Sequence, residues 1–264
     1  MVLAAGLGTR LRPLTDTKPK ALVPVGGTPL LKRVMLRLKA AGATRVVVNV
    51  HHFPEQIRAY IEANDCFGLD VRISDETEKL LDTGGGLRKA ARLFNDDEPI
   101  LIHNVDIISD ADLASLYSQA SMAASPTAGE TPAQAVCQAD AVLLVSPRKT
   151  TRNLIFDSDM RLTGWINTAT GEKRGPAATT KQPMPPSGGF RTYAFSGIHV
   201  FSPRLFKLMD TFPDKFSIMD FYLEVCGEAV IKGRASESLQ LVDAGKASTL
   251  AEAERLLADI NEPS

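Results

Sequence analysis

Apolar positions along the chain switch repeatedly between the period of a buried strand and that of an amphipathic helix. Val2 to Ala5 is a short apolar run ending in Gly6-Leu7-Gly8-Thr9-Arg10, which predicts a strand entering a glycine-rich turn. After Pro29, residues Leu30, Leu31, Val34, Leu38 and Ala41 keep helical spacing and stop at Gly42, a natural residue just past a helix end. Arg45 to Val50 is a β-branched run of the kind a strand buried on both faces carries. Pro54 to Ala63 predicts a helix, Val71 to Ser74 a strand, Gly86 to Phe94 a helix and Ile100 to Asn104 a strand. Farther on, Ala141 to Val145 predicts a strand, and Leu154 to Phe156 with Arg161 to Ile166 a hairpin around Asp157-Ser158-Asp159. Ala194 to Phe201 is the next strand, followed by helices over Pro203 to Met209 and Ser217 to Cys226. Leu239 to Val242 is the last strand, ahead of a helix over Thr249 to Ala258. Strands alternating with helices imply parallel βαβ units, so the expected class is α/β, a doubly wound, mostly parallel sheet covered on both faces.

Two stretches break this order. Ala120 to Gln138 is rich in Ala, Ser, Thr and Pro, and Asn167 to Gly189 in Gly, Pro and Thr, so both are expected to be mobile surface loops. With 264 residues and 44% hydrophobic composition the chain has enough apolar surface for one core, and a single domain over 1–264 is expected. The formal charge is -1, so no global field draws the protein to nucleic acid or to anionic lipid, and any anion site has to be local. Cys66, Cys137 and Cys226 lack metal-type spacing and suit buried thiols in a reducing compartment. No apolar run approaches the roughly 20 residues of a membrane span, and no signal-peptide pattern opens the chain. A cytoplasmic protein is expected. Strands usually run ~5 to 6 residues, so the short first one suggests that residues ahead of it are missing.

Candidate chemistry gathers at strand ends. Glycines 6 and 8 leave backbone amides free to turn toward an anion, and Arg10, Lys18 and Lys20 add positive charge beside them. A triphosphate needs both features, because negative charge builds on the leaving group as phosphorus is attacked. The segment lacks the Gly-Lys-Ser/Thr ending of a P-loop. Leu11 stands where a dinucleotide fingerprint requires Gly or Ala, which argues against a nicotinamide-dependent oxidoreductase. In Asp82-Thr83-Gly84-Gly85-Gly86 the three glycines carry a conformational cost, and two readings stay open: close approach of a flat ligand, or a plain turn before a helix. The strand Ile100 to Asn104 leads to Asp106 at the sheet edge where α/β ligands collect, well placed to meet a metal-bound phosphate. Ser109 or Asp110 is expected to cap the following helix, leaving Asp106 free. Asp243 again follows a strand, and Ser248 is expected to cap the last helix in its stead. His51 and His52 point to opposite faces of a strand, and His103 and His199 read as core residues.

The string from Gly6 through Lys20-Ala21-Leu22-Val23-Pro24 resembles the signature of the sugar-1-phosphate nucleotidylyltransferases, or nucleotide-sugar pyrophosphorylases, and the likeness to their short bacterial uridylyl- and guanylyltransferase members runs over nearly the whole chain. That resemblance implies a Rossmann-like fold and a reaction between a nucleoside triphosphate, UTP or GTP, and a sugar 1-phosphate, giving a nucleotide-sugar and pyrophosphate. It implies Mg²⁺ as cofactor, held by Asp106 and Asp243, the latter in an element similar to the family's late Asp-Val-Gly. Arg10 would hold the leaving phosphates, and Lys20 the α-phosphate and sugar phosphate. Ala4, Ala5, Gly6, Gly8 and Thr9 would receive the nucleotide, with Glu76 or Glu78, Thr83 and Gly84 near the base. Ser196 and Gly197 would lie under the sugar, with Asn153 or Trp165 lining the same side. The sequence departs from the family at Ala21, usually proline, and at Val105, usually glycine, where crowding near the nucleotide is expected. Glu172-Lys173 is the one candidate for the family's Glu-Lys pair, and an added left-handed β-helix is not expected. The alternatives are a cytidylyltransferase for a phosphorylated alcohol and a regulatory homologue that binds nucleotide-sugar without turnover.

Overall fold

The structure is a computed structural model, and it describes residues 1–95, 97–122, 139–176 and 189–260. Its centre is a parallel sheet in which β1 (Val2–Leu3) lies between β4 (Arg45–Val50) and β6 (Ile100–Asn104), with β5 (Asp70–Asp75) outside β4. The alternation within β4 explains its sequence: Val46, Val48 and Val50 join one core and Val47 the other, so both faces need apolar residues. Helices α1 (Leu30–Ala40), α2 (Pro54–Ala63) and α4 (Leu113–Met122) cover the first face together with α7 (Leu250–Asp259). The second face carries α3 (Asp82–Ala90), α5 (Phe206–Met209) and α6 (Ile218–Val225). Gly42 ends α1 with a φ of +91°, and proline opens α2.

Beyond β6 the pairing turns antiparallel. The strand β12 (Arg191–Phe201) runs against β6 and is flanked along its length by β8 (Ala141–Ser146) and β9 (Arg152–Phe156). β9 forms the expected hairpin with β10 (Leu162–Asn167), and β13 (Ile231–Ala235) adds parallel to β8. The register of β12 shifts between Phe195 and His199, and Gly197 adopts a φ of +81° there. Two small separate sheets pair β2 (Pro24–Val25) with β3 (Thr28–Pro29) and β7 (Ile107–Ser109) with β14 (Leu241–Asp243).

Several local expectations change. The helix expected from Gly86 starts at Asp82, so the three glycines lie within its first turns. Their reason is packing against the chain itself. A methyl at Gly84 would lie 2.4 Å from the Phe216 ring and one at Gly85 2.2 Å from the Asp214 carbonyl, while the amides of both donate to the Phe216 carbonyl. Helix α4 is capped by Asp112, whose Oδ1 accepts from Ser115 N, because Asp110 is engaged by Gln240 N. A 3₁₀ turn over Ala247–Thr249 precedes α7, which puts Thr249 rather than Ser248 at its N-cap. The first part of Asn167 to Gly189 is ordered: β11 (Lys173–Arg174) pairs with Trp165 and Ile166, and Arg174 forms an ion pair with Asp220 at 2.6 Å. Residues 123–138 and 177–188, the bulk of both expected loops, lie outside the described residues, as does Cys137. Cys226 is buried and Cys66 half-buried. Among the described residues no helix is long and apolar enough to cross a membrane.

Candidate active site

The loop after β1 is folded tightly over Lys20. Gly8 has a φ of +66° and its carbonyl accepts from Leu11 N and Thr15 Oγ1, both at 2.8 Å. A methyl there would lie 2.8 Å from Thr15 Cγ2 and 3.0 Å from Lys20 Cβ, so conformation and space both ask for glycine. Thr9 and Arg10 stay exposed on the single 3₁₀ turn Thr9–Leu11, which buried Leu11 anchors. Lys20 opens a second 3₁₀ turn, Lys20–Leu22, and Ala21 behind it is a fully buried core residue.

Asp106 and Asp243 are brought together by the β7–β14 pair, which sets Asp243 opposite Ile107, and Ala244 N donates to the Asp106 carbonyl. Between the two carboxylates stands Gly245. A methyl on it would meet Asp106 Oδ2 at 2.4 Å, Asp243 Oδ1 at 2.8 Å and Arg10 Nη2 at 3.2 Å. Lys20 Nζ donates to Asp106 Oδ2 at 2.9 Å, and Arg10 Nη2 lies 3.8 Å from Asp243 Oδ2. Burial by itself would raise the Asp106 pKa, but the Lys20 ammonium, with Arg10 farther off, holds it below the usual carboxylate value. Both carboxylates therefore face one glycine-lined space as hard oxygen donors, a donor set that suits a hard divalent cation completed by ligand oxygens. Among the described residues no group of three or more His, Cys, Asp or Glu gathers as a self-sufficient metal cage. Val105, ahead of Asp106, has its side chain fully buried in the core.

On the other side of β1 the sites read from sequence occupy different depths. Ala4 and Ala5 are buried and both amides donate to Asn49 Oδ1, at 2.7 and 3.3 Å. Glu76 is fully buried, with Asn49 Nδ2 on one carboxylate oxygen and Leu81 N on the other. Glu78, by contrast, is exposed. Thr83 Oγ1 accepts from Ile218 N at 2.8 Å, and Gly84 is packed against Phe216. Gly6 is partly exposed and faces Lys20 Nζ. On the expected sugar side, Ser196 is buried and its hydroxyl accepts from Ile198 N, so it fixes the bend in β12. Gly197 gives room to Asn104, whose Nδ2 would lie 2.8 Å from a methyl at that position. Asn153 on β9 is half-buried and donates to the Thr150 carbonyl. Trp165 packs on the core with the Arg174 guanidinium 5.9 Å from its ring centre, and Glu172-Lys173 is exposed at the sheet edge. His51 and His52 bond to different carbonyls, Glu76 and Thr15.

Asn49, Asn104 and Gly245 were not singled out as contact residues by sequence. For Asn49 a signal existed, a lone polar residue inside Val46-Val47-Val48-Asn49-Val50.

Comparison with known proteins finds relatives that match the first half of the chain and solved structures that match its fold. The N-acetylmuramate alpha-1-phosphate uridylyltransferase of Caulobacter vibrioides is 47% identical over 110 residues, covering 41% of this chain and 45% of that protein. A mannose-1-phosphate guanyltransferase of Gibberella zeae is 40% identical over 112 residues, 42% of this chain and 30% of the relative. The aligned part thus spans at most about half the length of these curated relatives. The crystal structure of HddC from Yersinia pseudotuberculosis superposes with a TM-score of 0.69 at 20% identity, covering 97% of both chains, and shares the fold. The model of the nucleotidyl transferase family matches residues 1–138, the half that carries the glycine loop, Lys20 and Asp106, and with that match the chain belongs to the nucleotidyl transferase family.

Proposed function

We propose that the protein transfers a nucleotidyl group from a nucleoside triphosphate to a sugar 1-phosphate, releasing pyrophosphate and forming a nucleotide-sugar. The observation that carries this reading is the convergence of Asp106, Asp243, Lys20 and Arg10 on the space over Gly245, beside the glycine loop. UTP and GTP are the candidate donors, with UTP first, since the 47% identical relative is a uridylyltransferase. The free thiols Cys66 and Cys226 fit action in the cytoplasm.

In this reading the loop Gly6 to Thr9 receives the phosphates, and Arg10, exposed at the loop's end, meets the leaving pyrophosphate. Lys20 lies under the loop, within reach of the α-phosphate. A sugar-phosphate oxygen attacks the α-phosphorus in line while the bond to the bridging oxygen of pyrophosphate breaks. The attacking phosphate monoester is largely ionised near neutral pH, so no side chain has to remove a proton. Lys20 and Arg10 oppose the charge that builds on the phosphoryl oxygens, and the fixed loop keeps them aligned. Mg²⁺, which Asp106 and Asp243 would hold, neutralises triphosphate charge when bound.

The test is pyrophosphate release from a matrix of UTP, GTP, CTP and ATP against a panel of sugar 1-phosphates. Turnover with UTP or GTP and at least one sugar is expected, and triphosphate binding without turnover on any acceptor would reject the reading. Gly245→Ala supplies an independent check. Its methyl would collide with both carboxylates, so it is expected to weaken Mn²⁺ binding and turnover by about 10- to 100-fold, as loss of metal-site support does elsewhere. Calorimetric metal titration beside a melting curve measures this, and unaltered metal affinity would show that the space over Gly245 is not the cation's.

A further inference from the structure

A buried hydrogen-bonded chain links the two walls of the nucleotide side. Asn49, 3% exposed on β4, accepts from the amides of Ala4 and Ala5, where β1 gives way to the glycine loop. Its Nδ2 donates to Glu76 Oε1 at 2.6 Å, and Glu76 Oε2 accepts at 3.0 Å from the amide of Leu81, the residue ahead of α3. Gly86 in α3 leaves room for this link. A methyl there would lie 2.5 Å from Glu76 Oε1 and 2.9 Å from Asn49 Nδ2. Each side-chain oxygen and nitrogen in the chain has a partner, and the carboxylate is withdrawn from solvent, where an unmatched partner costs most.

We propose that Asn49 and Glu76 are positioning residues for the triphosphate: together they fix the separation between the glycine loop and the start of α3. This rests on the reading above, in which the glycine loop receives the triphosphate, and on the expectation from the family resemblance that the start of α3 lies near its base. Neither side chain touches the ligand. Their loss therefore acts on triphosphate affinity, leaving the phosphate chemistry at Lys20 and Asp106 intact once the site is filled.

The donor pattern supplies a reciprocal test. Asn49→Asp sets a second buried carboxylate against Glu76. Glu76→Gln leaves one acceptor where two donors point. In the double variant N49D/E76Q, the new carboxylate accepts from Ala4, Ala5 and the new amide, whose oxygen accepts from Leu81, so every bond returns with the same net charge. Each single variant is expected to bind UTP or GTP about 10- to 100-fold more weakly, the equivalent of one buried polar group left unpaired. The double variant is expected within about threefold of the native chain, a coupling that only interacting positions give. Calorimetric Kd values, kcat at saturating substrates and melting curves are read on all four proteins. Unchanged kcat in Glu76→Gln with raised KM for the triphosphate supports the proposal. If the double variant binds no better than the singles, or if Glu76→Gln binds as the native chain does, it is overturned. It is overturned too if affinity falls only in step with melting temperature. Should the native chain bind no nucleoside triphosphate, the functional reading falls and this proposal with it. Native binding with a failed rescue removes the positioning role alone.

Discussion

Replacing Asp106 with asparagine is expected to lower turnover by about 10²- to 10³-fold, the range for losing one preorganised charge at a reacting phosphate. The fold should survive, because an amide oxygen still accepts from Lys20. The more discriminating result concerns Lys20. Its ammonium lies 2.9 Å from the Asp106 carboxylate, so it already neutralises the charge a divalent cation would seek. Triphosphate binding is expected to draw Lys20 toward phosphate oxygens and to free Asp106. Mn²⁺, followed by its electron-spin signal, should therefore bind the free chain weakly and tighten when UTP or GTP is present. Lys20→Met should reverse the first part: Mn²⁺ binds more tightly without nucleotide, although turnover falls as far as in Asp106→Asn. A buried carboxylate left without its partner also costs stability, so the metal titration, not the rate, separates exchange from damage. Equal Mn²⁺ affinity in the native and Lys20→Met chains, with no nucleotide present, would end the argument for exchange.

The parts of this architecture that sequence made legible are those whose reason is local. β4 matches its expected range Arg45–Val50 because burial on both faces imposes an unbroken apolar run, and α2 matches because proline marks its first turn. Asp106 and Asp243 were recognisable at strand ends, where an α/β sheet presents its ligands. What was not legible depends on distant segments. Nothing near Gly84 and Gly85 announces that Asp214 and Phe216 press against them, so the sequence pattern places the helix start four residues late. The cap at Asp112 replaced Asp110 only because Gln240 claims the latter. The inward turn of the Ser196 hydroxyl follows from the register shift in β12, which no single strand reveals. Gly245 and Asn49 belong to the same group: each matters through neighbours far along the chain.

Stability is expected to fall steeply as pH drops below about 6.5, at about 1.4 kcal/mol per pH unit for each of two histidines. His103 and His199 are both buried, and burial lowers each pKa from 6.5 to about 3, with the Arg37 charge adding to the effect at His103. In the unfolded chain each takes up a proton near pH 6.5, whereas the folded chain refuses it until about pH 3. Between those limits the unfolded state binds more protons, so acid favours unfolding. Two pH units of this, from two groups, remove about 5 kcal/mol, the lower end of the whole stability of a domain. Asp106, held low by Lys20, contributes to the loss only once pH approaches the carboxylate range. His199 is the simpler of the two histidines to isolate. Neither ring nitrogen has a hydrogen-bond partner among the described residues, and the ring stands edge-on to Tyr222 at 5.6 Å, so an apolar ring can take its place. Urea unfolding across pH 7 to 4.5 should show His199→Phe near native stability at pH 7, with a slope against pH clearly shallower than the native one. A slope left unchanged by that substitution would mean that His199 is protonated in the folded state, contrary to its burial.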